Sequence, residues 1–303
     1  MRTPARRSPR HRRDAVAAAA FLSPWLLGLV AFSLGPMAAS LVLSFTDYEL
    51  FGTPGWVGWD NYRRLLAEDP RYLASLGVTV TFVVTSVPLQ LAVALGVAML
   101  LRGGLAGVGL YRAVYYLPSL LGGSVAVAIL WRQVFGREGV VNALLEPFGV
   151  PATNWIGDPS TALATLVLLA VWQFGAPMVI FLAGLNSIPG ELYEAATVDG
   201  AGPLRRFRDI TLPMLSPVIL FNGILQMIGA FQVFTPAFII SGGSGGPTDS
   251  TLFYTLYLYQ RAFTAFDMGY ASAMAWVLLL VIAASTVLVF RMSAGRVFYA
   301  EER

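Results

Sequence analysis

Residues 194–202 read EAATVDGAG and interrupt a chain that is otherwise strongly apolar. Glu194, Asp199 and two glycines fall within this stretch, while the charge-free runs 159–190 and 210–248 flank it on either side. Across all 303 residues, 56% are hydrophobic and 12% are charged, which is about half the charged fraction of a typical soluble domain. The composition therefore indicates a protein that folds in lipid, and the short polar stretch needs a reason of its own.

The charge-free runs predict the fold class. A helix needs roughly 20 apolar residues to cross a bilayer; five of the six runs exceed that length and one just meets it. The runs are 15–46, 72–101, 113–131, 159–190, 210–248 and 268–290. We therefore predict an all-α polytopic membrane protein with six transmembrane helices, the first of them broken or tilted at Gly35-Pro36.

The placement of arginine predicts the orientation, because basic residues resist translocation and collect in cytoplasmic loops. With the N-terminus inside, the inner segments hold fourteen of the twenty arginines and the outer loops hold six. Both termini are therefore expected in the cytoplasm. The predicted organisation is a cytoplasmic basic tail at 1–14, a six-span transmembrane domain at 15–290 and a cytoplasmic tail at 291–303.

Residue types that the chain lacks argue against several classes of function. It has no cysteine, its only histidine, His11, lies in the basic tail, and all twenty basic side chains are arginine. A P-loop needs a lysine to reach the phosphates, so the chain is not expected to hydrolyse ATP in that way. The six runs contain no ionisable residue, so neither an ion-coupled transporter nor a catalytic or metal-binding set is expected within them. The net charge of +3 comes mostly from the tail and favours anionic lipid over nucleic acid.

Five amide side chains lie within the predicted spans, and two interpretations of them stay open. The commonest role of such a group is to link helices by hydrogen bonds. The alternative is a wet path for a hydroxyl-rich solute, because an amide donates and accepts at once, as a sugar hydroxyl does. These residues are Gln90, Gln173, Asn222, Gln226 and Gln232.

Helical spacing groups part of this polar set with small and aromatic residues. Side chains at i, i+3, i+4 and i+7 share one side of a helix, which places Gln173 and Gln226 each on a face with its neighbours. The rings of Trp172 and Phe174 offer surfaces on which the C–H groups of a sugar can stack. The candidate solute path is therefore Ala170, Trp172, Gln173, Phe174, Pro177, Gln226, Gly229 and Ala230.

The polar stretch and its surroundings predict two short helices around a turn. Pro189 suits the first turn of a helix, and Glu191 and Glu194 then lie near the positive end of the helix dipole. Asp199-Gly200 is a turn signal, because glycine accepts a positive φ at little cost.

The second short helix is expected to begin at Pro203 and to end at Pro213, before the fifth span. A plain connection between spans is usually only a few residues long. A whole helical hairpin at this position therefore favours a surface that docks into a partner's groove over a simple loop.

The segment GGSGGP, 242–247, connects the fifth and sixth predicted spans on the outer side. Glycine and serine in such a run allow either a flexible connection or a series of tight turns. The composition favours the flexible connection.

The segment ELYEAATVDGAGPLRRFRDITLP, 191–213, resembles the EAA loop of inner-membrane permease subunits of binding-protein-dependent ABC importers. Other segments look like carbohydrate-type permeases, and the early ones are similar to the larger partner of maltose and glycerol-3-phosphate systems. They are SFTDY (44–48), WVGWDNYRRLL (56–66), YYLPSL (115–120), GVVNALL (139–145), NWIGDPSTA (154–162), FLAGLNSIP (181–189), GGP (245–247) and GYASA (269–273). The resemblance therefore covers most of the chain.

The resemblance implies a type I ABC importer permease fold in a bacterial cytoplasmic (inner) membrane. It implies a sugar pathway shared with a second homologous permease subunit, ATP-binding subunits beneath the pair, and an extracytoplasmic solute-binding protein. The chain would then be neither an enzyme nor a cofactor carrier, since the partner subunits bind the ATP. The loop 191–213 would couple transport to hydrolysis through Glu191, Glu194, Ala195, Ala196, Asp199, Gly200, Ala201 and Phe207. The sugar-facing positions of such permeases map onto the candidate solute path.

The EAA loop does not encode the solute, so other functions stay open. A permease for a non-sugar solute, such as a phosphorylated polyol, is the first alternative, and a membrane scaffold without transport is a remote one. The predicted spans hold no arginine that would pair with a phosphate, which favours a neutral sugar.

Overall fold

The structure is a computed structural model that describes residues 9–103 and 107–294, with side chains from residue 17 onward. Regular secondary structure within these ranges is helical, apart from two isolated β-bridges. The all-α prediction is therefore confirmed for the described part of the chain. Residues 1–8 and 295–303 lie outside it, and with them most of both predicted tails. The predicted domain boundaries stay predictions.

Fifteen α-helices form within the described ranges, and short π-helical segments join some of them. The helices are α1 (Pro9–Leu29), α2 (Gly35–Leu43), α3 (Asp60–Arg63), α4 (Pro70–Arg102), α5 (Val108–Leu121), α6 (Val125–Val134), α7 (Val140–Leu145), α8 (Ala162–Trp172), α9 (Gly175–Ser187), α10 (Gly190–Val198), α11 (Pro203–Arg206), α12 (Leu212–Phe231), α13 (Thr235–Ser241), α14 (Tyr254–Tyr259) and α15 (Met268–Ser293). The chain divides into a first unit, Met1–Arg64 with Arg261–Trp276, and a second unit, Leu65–Gln260 with Val277–Arg303.

Four helical stretches are long and apolar enough to cross a bilayer. They are Ala17–Leu43, Pro70–Arg102, Pro203–Ser241 and Met268–Ser293. Two helix pairs reach that length only together: α5 with α6, bent by 99°, and α8 with α9, bent by 42°. The described residues therefore hold four candidate spans, or six if each bent pair is one crossing.

The bend between α5 and α6 lies inside the charge-free run 113–131. Gly122 and Gly123 follow the end of α5, and Ser124 then caps α6, because its Oγ accepts a hydrogen bond from the Val127 N–H at 3.3 Å. This run is therefore not one straight helix. A count of uncharged residues measures length along the sequence but does not show where glycine lets the chain turn.

Two of the prolines inside the long helical stretches are each preceded by a π-helical segment that ends two residues before the proline. Val30–Leu34 precedes Pro36, and Phe207–Thr211 precedes Pro213. A π segment widens the helix locally, which makes room for a ring that would otherwise clash with the carbonyl four residues earlier. The prediction that Pro213 ends its helix is therefore wrong, and the helix continues into α12. Of the break or tilt predicted at Gly35-Pro36, the break is not found, because Ala17–Leu43 is one helical stretch.

In the first unit, polar side chains fix the loop that follows α2. The Asn61 Nδ2 donates hydrogen bonds to the carbonyls of Ser44 at 3.0 Å and Thr46 at 2.8 Å. Arg64 forms an ion pair with Asp267 at 2.9 Å. Because the Asn61 amide satisfies two buried carbonyls, this loop is ordered without regular secondary structure.

Small residues of α4 allow α9 to pack closely against it in the second unit. Ala94 and Ala98 of α4 are fully buried together with Met178 and Phe181 of α9 and Leu215 of α12. Helices in lipid gain little from hydrophobic burial against one another, so close van der Waals contact at small residues supplies much of their association. This core brings the end of α4 and the start of α12 beside α10.

The segment GGSGGP, 242–247, forms tight turns, so the expectation of a flexible connection is wrong. All four of its glycines have φ between +63° and +93°, values that other residues rarely adopt. The Gly243 carbonyl accepts a hydrogen bond from the Gln260 Nε2 at 2.8 Å, and the Gly245 carbonyl accepts one from the Thr251 N–H at 2.9 Å. Both partners lie later in the chain, so the composition of the segment alone does not predict these hydrogen bonds.

Candidate solute cavity and coupling segment

A cavity of about 350 Å³ lies in the second unit between α4, α8 and α12. None of its lining residues is ionisable, and six of them carry polar side chains. The polar ones are Ser86, Gln90, Gln173, Gln226, Gln232 and Thr235. Small-molecule sites are typically about 300–1,000 Å³ with a few polar groups in an apolar wall. The cavity therefore suits a small uncharged polar molecule.

Five residues of the predicted solute path line this cavity: Ala170, Gln173, Gln226, Gly229 and Ala230. The other three lie elsewhere in the second unit. The Trp172 ring packs on Trp131 and the Phe174 ring on Tyr115, each with centroids 5.9 Å apart, and Pro177 is buried. The spacing rule that grouped Phe174 and Pro177 with Gln173 assumed one regular helix, whereas the chain bends by 42° between α8 and α9. Trp172 was predicted for its ring and not by this rule.

Hydrogen bonds from two other helices hold the bend between α8 and α9. Pro177 has no N–H, so the Gln173 carbonyl lacks the donor that a regular helix would supply. The Gln90 Nε2 of α4 donates to this carbonyl at 3.2 Å, and the Ser119 Oγ of α5 donates at 2.9 Å. The Gln173 Nε2 in turn donates to the Gly122 carbonyl at 3.2 Å. The helix-linking interpretation is therefore confirmed for Gln90 and Gln173, although both also face the cavity.

The three remaining amides divide between the two interpretations. Asn222 is fully buried, and its Nδ2 donates to the Pro177 carbonyl at 3.3 Å, which links α12 to α9. Gln226 and Gln232 line the cavity, and within the described residues their side chains make no hydrogen bond to protein. These two amides are therefore available to a solute.

Two parts of the cavity wall do not belong to the solute path predicted from the sequence. One is the face of α4 that carries Phe82 and Ser86 beside Gln90, at a spacing of four residues that the sequence already contains. The other is the segment 233–236, which follows Gln232 and turns across the cavity between α12 and α13. Pro236 marked this turn, but the uninterrupted charge-free run around it suggested a single span.

The predicted turn after α10 is a Schellman motif. Gly200 has φ +76°, a conformation that glycine adopts without strain. The Ala201 N–H donates to the Ala196 carbonyl at 2.8 Å, and the Gly200 N–H donates to the Thr197 carbonyl at 3.1 Å. Both bonds satisfy carbonyls that the end of the helix leaves without partners. The turn therefore reverses the chain into α11.

The predicted coupling residues differ in exposure. The exposed ones are Glu191, Glu194, Ala195, Asp199 and Gly200, whereas Ala196, Ala201 and Phe207 are half-buried. Two large apolar side chains lie beside them on the surface, Val198 at 88% exposure and Leu204 at 80%. The coupling hairpin, formed by α10, the turn at Gly200 and α11, thus presents acidic, small and apolar groups together. A helix that docks into a groove uses such apolar side chains as anchors.

A helical membrane protein with an uncharged polar cavity and an exposed helical hairpin has the features of a transport component. The sequence profile of the family described as binding-protein-dependent transport system inner membrane component matches residues 65–298. The chain belongs to this family. Its members are membrane transport components rather than enzymes, as the sequence predicted.

Named transport proteins are similar to this chain over most of its length. The probable ABC transporter permease protein YesP of Bacillus subtilis (strain 168) is 52% identical over 95% of this chain and 94% of its own length. The lactose transport system permease protein LacF of Rhizobium radiobacter is 35% identical over 89% and 91%. A chain of a bacterial ABC transporter involved in alginate import superposes with a TM-score of 0.80 at 21% identity, covering 93% of this chain and 96% of that one. This likeness confirms the importer-permease fold.

Proposed function

We propose that this chain is one of two permease subunits of an ABC importer and forms half of the translocation pathway for a neutral sugar. The observation that carries the proposal is the uncharged polar cavity in a chain of this transport family. Gln226 and Gln232 supply amides that can both donate to and accept from sugar hydroxyls. Relatives whose names specify lactose and arabinooligosaccharide transport support a sugar as the solute.

The proposal includes three kinds of partner protein. A second homologous permease subunit completes the pathway, ATP-binding subunits supply the energy, and an extracytoplasmic solute-binding protein delivers the sugar. A similar solved chain, with a TM-score of 0.78, belongs to an alginate transporter in complex with an alginate pentasaccharide-bound periplasmic protein, which supports the last of these. Because the chain has no lysine for a P-loop, ATP binding is assigned to the partner subunits and no cofactor to this chain.

Residues 191–213 are proposed to receive the movement of the ATP-binding subunits. Glu191, Glu194 and their exposed neighbours offer the docking surface on α10. The stretch Pro203–Ser241 continues from this hairpin to the cavity wall, so a displacement of the hairpin reaches Gln226 and Gly229 without an intervening loop.

We also propose a six-span topology in a bacterial cytoplasmic membrane with both termini in the cytoplasm. The distribution of arginine supports this orientation, since fourteen of the twenty arginines fall on the proposed inner side. The coupling hairpin then lies on the side where ATP is available.

The coupling role is tested by Gly200→Pro in the complete complex, reconstituted in proteoliposomes. Proline cannot adopt φ +76° and removes the Gly200 N–H, so the Schellman turn is lost. We expect uptake of solute per ATP hydrolysed to fall about tenfold, the factor that ~1.4 kcal/mol of lost coupling energy gives. Gly149→Pro is the matched control, because Gly149 also has φ +76° and neither glycine has a neighbouring atom within 4 Å of an added Cβ. An unaltered ratio for Gly200→Pro would contradict the coupling role.

The neutrality of the solute has a separate test. A phosphate that entered this cavity would lose water without meeting a cationic side chain among the lining residues, which is unfavourable. Thermal-shift screening of sugars and phosphorylated polyols on the partner solute-binding protein compares the two classes directly. We expect neutral sugars to raise its melting temperature, and stabilisation by phosphorylated polyols alone would overturn this assignment.

A further inference from the structure

Tyr193 differs from its neighbours in α10. Leu192 and Glu194 are exposed, whereas Tyr193 is half-buried and packs against the core cluster that contains Ala98 and Leu185. In the described part of the chain, it is the residue of α10 whose side chain hydrogen-bonds to both neighbouring transmembrane stretches. The docking surface and this inward contact therefore lie on opposite sides of one short helix.

Two polar partners meet at the Tyr193 hydroxyl. The Arg102 Nη1 donates to it at 3.0 Å, and the guanidinium carbon lies 4.8 Å from the centroid of the tyrosine ring. The Thr211 Oγ1 lies 2.9 Å from the same hydroxyl, and Thr211 is buried. Arg102 thus contacts both the ring and the oxygen of Tyr193, which fixes the tyrosine in one orientation.

The hydrogen bonds around this hydroxyl form a directed chain. Arginine has no acceptor, so the Tyr193 oxygen accepts from Arg102 and its own proton is available to the Thr211 Oγ1. The Thr211 hydroxyl in turn donates to the Arg206 carbonyl at 3.4 Å. Each hydroxyl therefore both accepts and donates, and removal of the middle one separates the two ends.

The hydrogen bonds of the Tyr193 hydroxyl reach the ends of two helices, α4 and α12, that form walls of the cavity. Arg102 is the last residue of α4, and Gln90 of the same helix lines the cavity about 18 Å further along, at 1.5 Å per residue. Thr211 ends the π segment that leads into α12, which carries Gln226. The Tyr193 hydroxyl on α10 is therefore hydrogen-bonded both to the end of α4 and to the residue that precedes α12.

We propose that Tyr193 is a positioning residue for transport, which ties the coupling hairpin to α4 as well as to α12. Movement of the hairpin then displaces both walls of the cavity together. Without the hydroxyl, α12 still follows the hairpin through the backbone, whereas α4 loses its hydrogen bond to it. The proposal rests on the proposed function, because it assigns a route for the energy that the partner subunits supply.

The test is Tyr193→Phe, which keeps the ring and its packing and removes only the hydroxyl. In the reconstituted complete complex, we expect the solute taken up per ATP hydrolysed to fall about fivefold, the factor for one lost hydrogen bond of ordinary strength. Tyr111→Phe is the matched control, because Tyr111 is 48% exposed and its hydroxyl makes no hydrogen bond within the described residues. A tyrosine needed only for packing predicts equal ratios for both variants, and that result overturns the proposal.

Thr211→Val, alone and combined with Tyr193→Phe, tests the hydrogen bond between the Tyr193 and Thr211 hydroxyls. Both single substitutions break the same chain of hydrogen bonds, so the double variant is expected to lower the ratio no further than Tyr193→Phe alone. Effects that multiply instead would show that the two hydroxyls act independently, which contradicts a shared route.

A distance measurement separates this inference from the proposed function. The chain contains no cysteine, so nitroxide labels attach only at Val198→Cys on α10 and Leu100→Cys on α4, positions that are 88% and 70% exposed. We expect one narrow distance distribution with Tyr193 and a broader one with Tyr193→Phe. An unchanged width refutes the link to α4 even if transport is as proposed. Failure of the unsubstituted complex to couple uptake to ATP hydrolysis refutes the proposed function while this distance result stands.

Discussion

Gly122 and Gln173 show how two distant residues shape the cavity together. The Gln173 side-chain amide lies directly against Gly122, where an added Cβ would overlap with it. The same amide donates to the Gly122 carbonyl at 3.2 Å. Glycine is needed here because of this close approach rather than for its backbone angles, since its φ is −61°.

Gly122→Ala is expected to displace the Gln173 amide and to change the cavity wall without loss of the fold, because a flexible side-chain end can move aside. The solute concentration that gives half-maximal uptake should rise about fivefold, the factor for one lost hydrogen bond. Uptake kinetics in proteoliposomes measure it. Gly123→Ala is the control, since a Cβ at Gly123 meets nothing within 4 Å, and equal kinetics for both variants would argue against a role for Gln173.

Residue-scale features could be predicted from the sequence where their cause is local. The turn at Gly200 follows from Asp199-Gly200 alone, because both Schellman bonds stay within the same few residues. The requirement for Gly122 could not be predicted, because its partner Gln173 lies 51 residues later and nothing near Gly122 indicates it.

At the scale of helices, α9 approaches the backbone of α5 at Gly175. A Cβ at this position would overlap with the Tyr115 carbonyl and lie 2.7 Å from the Tyr116 Cα and 2.8 Å from the Ser119 Oγ. Backbone atoms cannot move aside as a side-chain end can. The two helices therefore contact each other only because this residue has no side chain.

Gly175→Ala is expected to force α5 away from α9 and to destabilise the protein by about 1–3 kcal/mol, the usual cost of overpacking. Thermal or denaturant unfolding in detergent measures the difference. Gly77→Ala in α4 is the control, because its Cβ meets nothing within 4 Å and alanine favours a helix interior by about 0.5–1 kcal/mol. A loss of stability no greater than that of Gly77→Ala would show that the contact tolerates a methyl group.

The sequence predicted where the apolar helices lie, but it did not predict where those helices bend or continue through a proline. Among the described residues, every helix or bent helix pair that is long and apolar enough to cross a bilayer overlaps a charge-free run, because lipid requires uncharged side chains over that length. The bend at Gln173 depends on donors from Gln90 and Ser119, which lie on other helices. The prediction at Pro213 was wrong for a different reason. A local π segment accommodates this proline, which would usually end a helix.

At the scale of the whole molecule, the two bent pairs decide the topology. Each bent pair either crosses the membrane as one broken span or enters it and returns to the side from which it came. Phe148 lies between the two pairs and is 81% exposed, while Val198 follows the second pair and is 88% exposed. Phe148 therefore distinguishes six crossings from four, and Val198 is the reference that is expected on the cytoplasmic side in both cases.

With six crossings and a cytoplasmic N-terminus, Phe148→Cys lies on the extracytoplasmic side of the membrane and Val198→Cys on the cytoplasmic side. An impermeant maleimide should then label Phe148→Cys in intact spheroplasts and Val198→Cys only after permeabilisation. Labels are specific because the chain has no native cysteine. If both bent pairs returned to the cytoplasmic side, both positions would react only after permeabilisation, and the six-span topology would be wrong.

The carbonyl of Gln173 also sets an order for biosynthesis. Gln90 and Ser119, the donors that satisfy it, are made 83 and 54 residues earlier in the chain. At about 5–20 residues per second, the Gln90 amide leaves the ribosome roughly 4–17 seconds before its acceptor does. A polar group without a partner is costly in lipid, so the Gln90 amide needs another hydrogen-bond partner until Gln173 has been made. The bend between α8 and α9 can therefore pack on α4 and α5 only after Gln173 has been made.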